Sequence, residues 1–249
     1  AEDVMDVASR KGGPIKIAVP RLNRIANFDD LDPLSATPEV SVEIIEAGRP
    51  LPGDADLVLI PGSKSTIADL AHFRAQGWDI DLAAHVRRGG RVLGICGGYQ
   101  MLGKRIIDDD GIEGAPARVD GLGLLDIETV MKPQKRLSQS TATYVPTGDI
   151  VTGYEIHIGE TSGPDCNRAW LSLDGRGEGA ASADGRVMGC YLHGLFSADA
   201  FRAAFLAQLD VSLPLTNYTQ GVEDTLDALA DHLETHMDID ALLGLAGPV

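Results

Sequence analysis

Residues 91–102 read Arg-Val-Leu-Gly-Ile-Cys-Gly-Gly-Tyr-Gln-Met-Leu. A short apolar run stops at Cys96, and two glycines and a helical stretch follow at once. This order predicts a strand that ends in a sharp turn with a thiol at its apex, as in the nucleophile elbow of serine hydrolases. A helix that begins beside the cysteine favours thiolate over thiol. The alternative is a buried structural cysteine, but the flanking Gly94 and Gly98 disfavour it because a core strand gains nothing from glycine.

Further strands of the same sheet are predicted by three apolar runs, Ile15–Val19, Leu57–Ile60 and Arg186–Leu192, and by the alternating segment Val40–Ile45. Helical stretches alternate with the strands, which predicts an α/β fold: a doubly wound, mostly parallel, flavodoxin-like sheet. Roughly residues 108–185 are richer in glycine, threonine and alternating patterns. This segment predicts an antiparallel β insertion laid against the edge of the sheet.

One domain boundary follows from the same patterns. Residues 1–14 end in Arg-Lys-Gly-Gly-Pro and are interpreted as a linker or the tail of an absent upstream domain. Residues 15–249 are expected to form one domain. Its last long helix is predicted over Gly221–Met237, where apolar residues recur at helical spacing.

Composition excludes several classes of function. A net charge of −16 argues against binding to nucleic acid or to an anionic membrane, where basic patches must neutralise phosphates. Three widely spaced cysteines suit a reducing cytoplasm, no pair has zinc-ligand spacing, and we expect no metal. The acidic first residues make no signal peptide, and no apolar run is long enough to span a membrane. No Walker motif is present, so no ATP site is expected in this chain.

Three short motifs lie at the carboxyl ends of predicted strands, where ligands bind in open α/β sheets. They are Gly62-Ser63, Cys96-Gly97 and His193-Gly194. A cysteine nucleophile needs a base, and His193 alone among the histidines directly follows a buried strand and precedes a glycine. An attacked carbonyl also needs two N–H donors for its oxyanion. Gly97 is one candidate donor, and the neighbouring Gly62 or Ser63 is the other. We predict that Gly62 and Gly97 form the oxyanion hole.

A second polar segment runs from Gly153 to Gly159 and reads Gly-Tyr-Glu-Ile-His-Ile-Gly. Strand alternation places Tyr154 and the isoleucines on one face and His157 on the other. If the polar face lines a cleft, it binds substrate. If it faces solvent, the segment is only an edge strand, and the pattern leaves both alternatives open.

The motifs together resemble the class I, or triad-type, glutamine amidotransferase domain. The residues that carry this resemblance are Leu59-Ile-Pro-Gly62, Gly94-Ile-Cys96-Gly-Gly-Tyr-Gln100-Met-Leu-Gly103 and Tyr191-Leu-His193-Gly194. The resemblance implies that Cys96 attacks glutamine and that a glutamyl thioester is hydrolysed to glutamate and ammonia. It also implies that Gln100 lies beside bound glutamine, with Ser63, Tyr154 and His157 as further candidates for the glutamine pocket.

Within that family, four segments resemble the cobyric acid synthase branch: residues 21–33, 61–66, 121–125 and 153–159. That branch uses ATP and glutamine-derived ammonia to amidate carboxylates of cobyrinic acid a,c-diamide. The resemblance therefore implies an ATP-dependent synthetase domain or subunit as partner, with ATP and Mg²⁺ on that partner and no cofactor here. Rival hypotheses are the glutaminase of cobyrinic acid a,c-diamide synthase or of the lipid II amidotransferase, a non-catalytic interaction domain, and a stand-alone cysteine hydrolase.

One departure from the family pattern concerns the histidine. Most class I domains have a glutamate two residues after it, and here that position is Leu195. The cobalamin branch lacks this glutamate, so the departure fits the branch but leaves His193 without a partner to orient it. A backbone carbonyl, Glu155 and Glu160 are the candidates for that role, and the sequence does not choose among them.

Overall fold

The protein is described by a computed structural model that covers residue 9 and residues 12–134, 136–209 and 217–246. The predicted linker over residues 1–14 lies largely outside these described residues. The strands are β1 (Ile15–Pro20), β2 (Ile25–Ala26), β3 (Val40–Ile45), β4 (Leu57–Ile60), β5 (Gly62–Ser63), β6 (Arg91–Ile95), β7 (Arg105–Asp108), β8 (Ala117–Asp120), β9 (Glu128–Val130), β10 (Arg136–Tyr144), β11 (Ile150–His157), β12 (Glu160–Ser162), β13 (Leu171–Leu173), β14 (Arg176–Glu178), β15 (Ala180–Ala181), β16 (Val187–Cys190) and β17 (Leu192–His193). The α-helices are α1 (Asp32–Ala36), α2 (Thr66–Ala75), α3 (Trp78–Arg87), α4 (Gly97–Leu102), α5 (Asp199–Ala207), α6 (Tyr218–His236) and α7 (Ile239–Ala246).

The main sheet has six strands in the order β15-β16-β6-β4-β1-β3. All its neighbouring strands are parallel except β15, which pairs antiparallel with β16 at one edge. Leu57 and Leu59 of β4 face one apolar core, whereas Val58 and Ile60 face the other. Burial on both faces explains why these strands read as continuous apolar runs. The predicted α/β fold with a mostly parallel sheet is confirmed.

Two antiparallel-rich sheets make up the rest of the β structure between residues 105 and 193. One has the order β14-β13-β10-β11-β17, and the other has the order β12-β9-β7-β8. Ala142 of β10 and Val151 of β11 belong to the same core as Leu57 and Leu59, so the first of these sheets packs on one face of the main sheet. The predicted antiparallel insertion is therefore confirmed, but its predicted position against the edge of the sheet is wrong, because this sheet packs on a face.

The predicted strand Arg186–Leu192 is divided in the structure. Its first part, β16, pairs with β6 in the main sheet, whereas β17 pairs with β11 and places Tyr154 opposite His193. The prediction of a single strand over Arg186–Leu192 was wrong. The segment is almost entirely apolar, and such a run does not show where the chain passes from one sheet to another. The change of sheet brings His193 under β11.

The chain divides into two compact units, Ala1–Leu215 and Thr216–Val249. The second unit contains α6 and α7, and α6 confirms the helix predicted over Gly221–Met237. Its apolar residues, among them Leu226 and Leu229, are about half exposed (52% each). Among the described residues, no helix combines the length and the apolar character that crossing a membrane requires.

Candidate active site

Cys96 lies between β6 and α4 with φ 51° and ψ −110°, a conformation that is strained for a residue with a side chain. The turn is tight because its glycines touch backbone. A Cβ on Gly98 would lie 2.1 Å from the carbonyl oxygen of Ile60, and one on Gly94 would lie 2.7 Å from the backbone of Gly98. Only glycine fits at these two positions, so the sequence Gly94-x-Cys96-x-Gly98 folds as the predicted elbow.

His193 is fully buried, and its ring is held by a carboxylate. Its Nδ1 atom lies 2.7 Å from Oδ2 of Asp30, while Oδ1 of Asp30 accepts a 2.7 Å hydrogen bond from the amide of Gly194. Asp30 is itself only 4% exposed. Because both carboxylate oxygens are used, Asp30 fixes the ring and its tautomer, and Nε2 is left for the thiol.

Asp30 was not among the candidates for the partner of His193, and the candidates were wrong. Glu155 instead lies 3.4 Å from the guanidinium of Arg176, and Glu160 is exposed on β12. Asp30 comes from a 3-10 helix, Phe28–Leu31, within the loop that follows β1. The sequence does not show that an aspartate in a polar loop will be buried against His193, which follows it by 163 residues.

The pKa of His193 reflects two opposing effects. Burial lowers it, but the hydrogen bond to Asp30 and the interactions of the ring with the Asp30 and Cys96 side chains raise it by more, to about 10. The imidazole is therefore protonated at neutral pH. A thiolate–imidazolium pair is the reactive form of a cysteine nucleophile.

Strand β11 passes directly over the thiol and the imidazole. The carbonyl oxygen of Ile156 accepts a 3.4 Å hydrogen bond from the Cys96 thiol. The ring of Tyr154 stacks on His193 with 5.2 Å between ring centroids, and its hydroxyl accepts a 2.7 Å hydrogen bond from Asn27. The segment Gly153–Gly159 thus faces the site and is not an edge strand, because β11 pairs with both β10 and β17. That its polar side chains bind substrate stays a prediction.

A cavity of about 300 Å³ opens at the thiol, and we call it the thiol cavity. Its described lining residues are Ala26, Asn27, Ser63, Lys64, Thr66, Cys96, Gln100, Glu113, Ile156, His157 and Ile158. Of the residues predicted to bind glutamine, Ser63, Gln100 and His157 line this cavity. Tyr154 is not part of its lining.

Gln100 and His157 are both held by other parts of the protein. The side-chain amide of Gln100 donates to the carbonyl of Ile158 (2.9 Å) and to the hydroxyl of Tyr191 (3.1 Å), and its oxygen accepts from Thr66 (2.9 Å). The imidazole of His157 stacks on Tyr191 with 3.8 Å between centroids. Gln100 therefore joins α4 to the segment after β11, and both of its amide hydrogens are already used.

Two backbone amides lie beside the thiol. Gly97 is the first residue of α4, where helix amides have no intrahelical acceptor. A Cβ on Gly97 would lie 2.9 Å from the amide nitrogen of Ser63, so the two residues are adjacent. Strands β2 and β5 are antiparallel, and along such a pair hydrogen-bonded residue pairs alternate with pairs that are not hydrogen-bonded. Since Lys64 donates to Arg24, the amide of Gly62 faces Ala26 of β2, whereas that of Ser63 faces away from the strand.

Asp69 of α2 anchors this part of the site and was not singled out from the sequence. Its carboxylate accepts hydrogen bonds from the hydroxyl of Ser63 (2.6 Å) and from the amide of Arg24 (3.1 Å). Burial raises the pKa of Asp69, and these hydrogen bonds oppose that rise. By binding both β2 and β5, Asp69 fixes the loop that carries the Ser63 amide.

The other two cysteines lack this environment. Cys190 is fully buried, and burial raises the pKa of its thiol well above the ordinary value. Burial also raises the pKa of Cys166, which lies 3.9 Å from the hydroxyl of Tyr99. In the part of the chain that the structure describes, no group of three or more His, Cys, Asp or Glu residues is arranged to hold a metal ion.

Comparisons with known proteins agree with this geometry. The family described as the CobB/CobQ-like glutamine amidotransferase domain matches residues 16–201. Cobyric acid synthase of Ruegeria sp. (strain TM1040) is 64% identical over 250 residues, which cover 100% of this chain and 52% of that protein. Cobyric acid synthase of Rhodobacter capsulatus is 59% identical over 250 residues, with 99% and 52% covered. The chain thus spans about half the length of these curated relatives.

Among solved structures, PurLQS from Thermotoga maritima is similar with a TM-score of 0.59 and 17% sequence identity, covering 79% of this chain and 98% of that one. At this level of identity the likeness concerns the fold alone. The match of the family to residues 16–201 and the identity to its members establish more than the fold. The chain belongs to the family of CobB/CobQ-like glutamine amidotransferase domains.

Proposed function

We propose that this chain hydrolyses glutamine to glutamate and ammonia through a thioester on Cys96, and that the ammonia serves the synthesis of cobyric acid. One observation carries the proposal. Cys96 lies on a strained elbow beside backbone amides, and the imidazole of His193 next to it is held by Asp30. The relatives named above as cobyric acid synthase support the second part. Their additional length leaves room for an ATP-dependent synthetase domain, on which ATP and Mg²⁺ would bind.

The first half of the reaction forms the thioester. The Cys96 thiolate attacks the side-chain carbonyl carbon of glutamine, and the carbonyl oxygen becomes an oxyanion. In this proposal the amides of Gly97 and Ser63 donate hydrogen bonds to this oxygen, and the adjacency of the two residues supports that role. Ser63 replaces the predicted Gly62 because the Gly62 amide faces Ala26. The His193 imidazolium then gives its proton to the departing nitrogen, so that the C–N bond breaks and ammonia leaves.

The second half releases glutamate. Neutral His193 now accepts a proton from water, and the resulting hydroxide attacks the thioester carbonyl. When the C–S bond breaks, Cys96 leaves as thiolate and His193 is again the imidazolium. One water is consumed, one glutamate and one ammonia are formed, and Asp30 keeps Nδ1 protonated throughout.

The test is covalent labelling of Cys96 by a reactive analogue of glutamine. The protein is incubated with 6-diazo-5-oxo-norleucine, and the adduct is mapped by mass spectrometry. The Cys96 thiolate displaces dinitrogen while the diazo carbon takes a proton from His193, which leaves a thioether. We expect labelling at Cys96 that glutamine slows, with Cys166 and Cys190 unlabelled because burial keeps their thiols protonated.

His193→Ala is the matched variant for this experiment. It removes the proton donor and leaves the elbow intact, so we expect labelling of Cys96 to be slower by about 100-fold. Equal labelling of all three cysteines, or labelling that glutamine does not slow, would contradict a glutaminase site. Activity on peptides with none on glutamine would instead indicate a stand-alone cysteine hydrolase.

Tyr154 provides a second prediction, because its role is either to bind glutamine or to hold His193. Its ring stacks on the imidazole and its hydroxyl binds Asn27, so we expect the ring to matter and the hydroxyl to matter little. Tyr154→Phe is expected to keep kcat and KM for glutamine within about threefold. Tyr154→Ala, which removes the stacked ring, is expected to lower kcat by about tenfold. A rise in KM in Tyr154→Phe would instead indicate direct contact with glutamine.

A further inference from the structure

The chain crosses between two sheets twice at one place. At Gly179 it passes from β14 of the five-stranded sheet to β15 of the main sheet, and at Tyr191 it returns from β16 to β17. The ladder between β15 and β16 ends with the pair Ala180 and Gly189. The amide of Tyr191, a residue that is only 5% exposed, lies beyond this ladder. It needs an acceptor from elsewhere, because a buried N–H group without one is costly.

Glu178 supplies that acceptor. Its Oε1 atom accepts a 2.9 Å hydrogen bond from the amide of Tyr191, and its Oε2 atom lies 3.2 Å from the guanidinium of Arg176. Arg176 also pairs with the buried Glu155 at 3.4 Å. Burial raises the pKa of Glu178, and its contacts with Tyr191 and Arg176 oppose that rise. Both oxygens of this buried carboxylate are therefore held.

The peptide group that joins Cys190 to Tyr191 also contacts the backbone of the nucleophile. Its N–H binds Glu178, and its carbonyl oxygen accepts a 2.9 Å hydrogen bond from the amide of Cys96. One planar peptide unit thus connects the carboxylate to the strained elbow. Hydrogen bonds arranged in line in this way strengthen one another. The orientation of this peptide therefore helps to fix Cys96.

The same peptide determines where the base lies. His193 follows Tyr191 by two residues, which span about 7 Å in an extended chain, and it pairs with Tyr154 of β11. The side chain of Tyr191 is held separately by Gln100 and by stacking on His157. Those contacts fix the ring but not the plane of the peptide. A rotated peptide would displace Cys96 and His193 together, and a displacement of 1 Å at a reacting group costs up to about 100-fold in rate.

We propose that Glu178 is a positioning residue: by accepting the amide of Tyr191 it fixes both the elbow of Cys96 and the segment that carries His193, and so sets the distance between thiol and imidazole. Glu178 is not among the described lining residues of the thiol cavity. It therefore acts through the backbone and not on substrate. This inference rests on the glutaminase function proposed above.

Three variants separate the acceptor from the charge. Glu178→Gln keeps an oxygen for the Tyr191 amide and loses the charge, so we expect kcat for glutamine within about threefold of the unmodified protein. Glu178→Asp keeps the charge but withdraws the carboxylate by one C–C bond, about 1.5 Å. We expect it to lower kcat about tenfold with KM within about twofold. Glu178→Met removes the acceptor and is expected to lower kcat by at least about tenfold.

A second measurement does not depend on glutamine. The rate of alkylation of Cys96 by iodoacetamide is recorded as a function of pH. A protonated His193 beside the thiol stabilises the thiolate, so a displaced imidazole is expected to move this profile to higher pH. We expect that shift in Glu178→Asp and Glu178→Met and an unmoved profile in Glu178→Gln. A contribution of Glu178 to fold stability alone would not move the profile.

Asp165→Leu is the matched control for Glu178→Met. Asp165 is also buried, accepts a 2.9 Å hydrogen bond from the amide of Asp126 and pairs with Arg168. We expect both variants to unfold at a lower temperature than the unmodified protein. Only Glu178→Met is expected to change kcat and the alkylation profile, which are measured well below the unfolding temperature of every variant.

The possible failures are distinguishable. If Glu178→Asp and Glu178→Met keep the unmodified kcat and alkylation profile, Glu178 is structural and the positioning role is wrong, although the glutaminase function stands. If Glu178→Asp is active and Glu178→Gln is not, the charge matters and not the acceptor, which also contradicts the inference. If the unmodified protein hydrolyses no glutamine, and glutamine does not slow alkylation of Cys96, the proposed function itself is wrong.

Discussion

Asp30→Asn is expected to lower kcat for glutamine hydrolysis by about 1,000-fold while KM changes little, by analogy with the loss of the aspartate in a Ser-His-Asp triad. The reason is the hydrogen-bonding capacity of the side chain. Asp30 accepts from both Nδ1 of His193 and the amide of Gly194. The Gly194 amide can only donate, so it takes the single oxygen of asparagine. The NH₂ group then faces Nδ1 and favours the tautomer with its proton on Nε2, which cannot accept a proton from the thiol.

The pH profile gives a second readout of the same change. Asp30 helps to raise the pKa of His193 from 6.5 to about 10, so its removal lets burial lower that pKa. We expect the alkaline limb of kcat to move to lower pH in Asp30→Asn. The raised pKa also stabilises the fold: this contribution is complete below about pH 6.5 and is lost as pH rises towards 10. Thermal unfolding between those pH values is expected to be less pH-dependent in the variant.

Asp32→Asn is the matched control, because it removes the same charge from an exposed position two residues away. We expect its kcat and pH profile to match those of the unmodified protein. An Asp30→Asn variant with kcat within threefold of the unmodified protein, or with an unshifted alkaline limb, would show that Asp30 does not position the imidazole. Circular dichroism of both variants establishes that the fold is retained.

Cys96→Ser is expected to abolish glutamine hydrolysis, with a loss of at least about 10⁵-fold in kcat, because loss of a nucleophile removes the covalent route altogether. A serine hydroxyl is far less acidic than a thiol, so it does not supply the anionic nucleophile that a protonated His193 would stabilise. The steric fit is preserved, since a hydroxyl can make the contact with Ile156 that the thiol makes. Glutamate release is measured with a coupled dehydrogenase assay.

Cys166→Ser is the control for that experiment, since Cys166 lies outside the thiol cavity. We expect full activity in Cys166→Ser and unchanged thermal stability in Cys96→Ser. A third variant, Cys96→Gly, probes the elbow itself. Glycine adopts φ 51° without a Cβ penalty, so the inactive Cys96→Gly is expected to be no less stable than the unmodified protein. Marked destabilisation of Cys96→Gly would indicate that the thiol contributes to the fold.

Much of the architecture was predictable because local sequence determines it. The central strands β4 and β6 are buried on both faces and therefore appear as apolar runs, whereas the edge strand β3 shows the alternation of a half-buried strand. Cys96 and His193 were predictable for the same reason, since each follows such a run and precedes a glycine. The break between β16 and β17 was not predictable, because pairing with β11 depends on tertiary structure that an apolar run does not encode.

The supporting residues of the site were harder to find. Asp30 and Asp69 are ordinary acidic residues in a polar loop and on a helix, and only the folded chain buries them against His193 and Ser63. Tyr154 and Gln100 were identified as residues of the site, but the ring of Tyr154 stacks on His193, and the hydrogen bonds of Gln100 hold the helix after the elbow in place. Which polar residue touches substrate and which one touches its neighbour depends on distances of a few ångströms, which spacing along the chain does not give.

The contact between Asp30 and His193 also determines the stage of folding at which the Cys96 thiol becomes reactive. It joins segments 163 residues apart, and closing so long a loop is entropically costly and slow. During synthesis, a nascent chain that already contains Cys96 still lacks His193, the proposed acid and base, because almost a hundred residues separate the two. An incomplete chain is therefore not expected to hydrolyse glutamine. On refolding, glutaminase activity is expected to return after the parallel sheet has formed, not before.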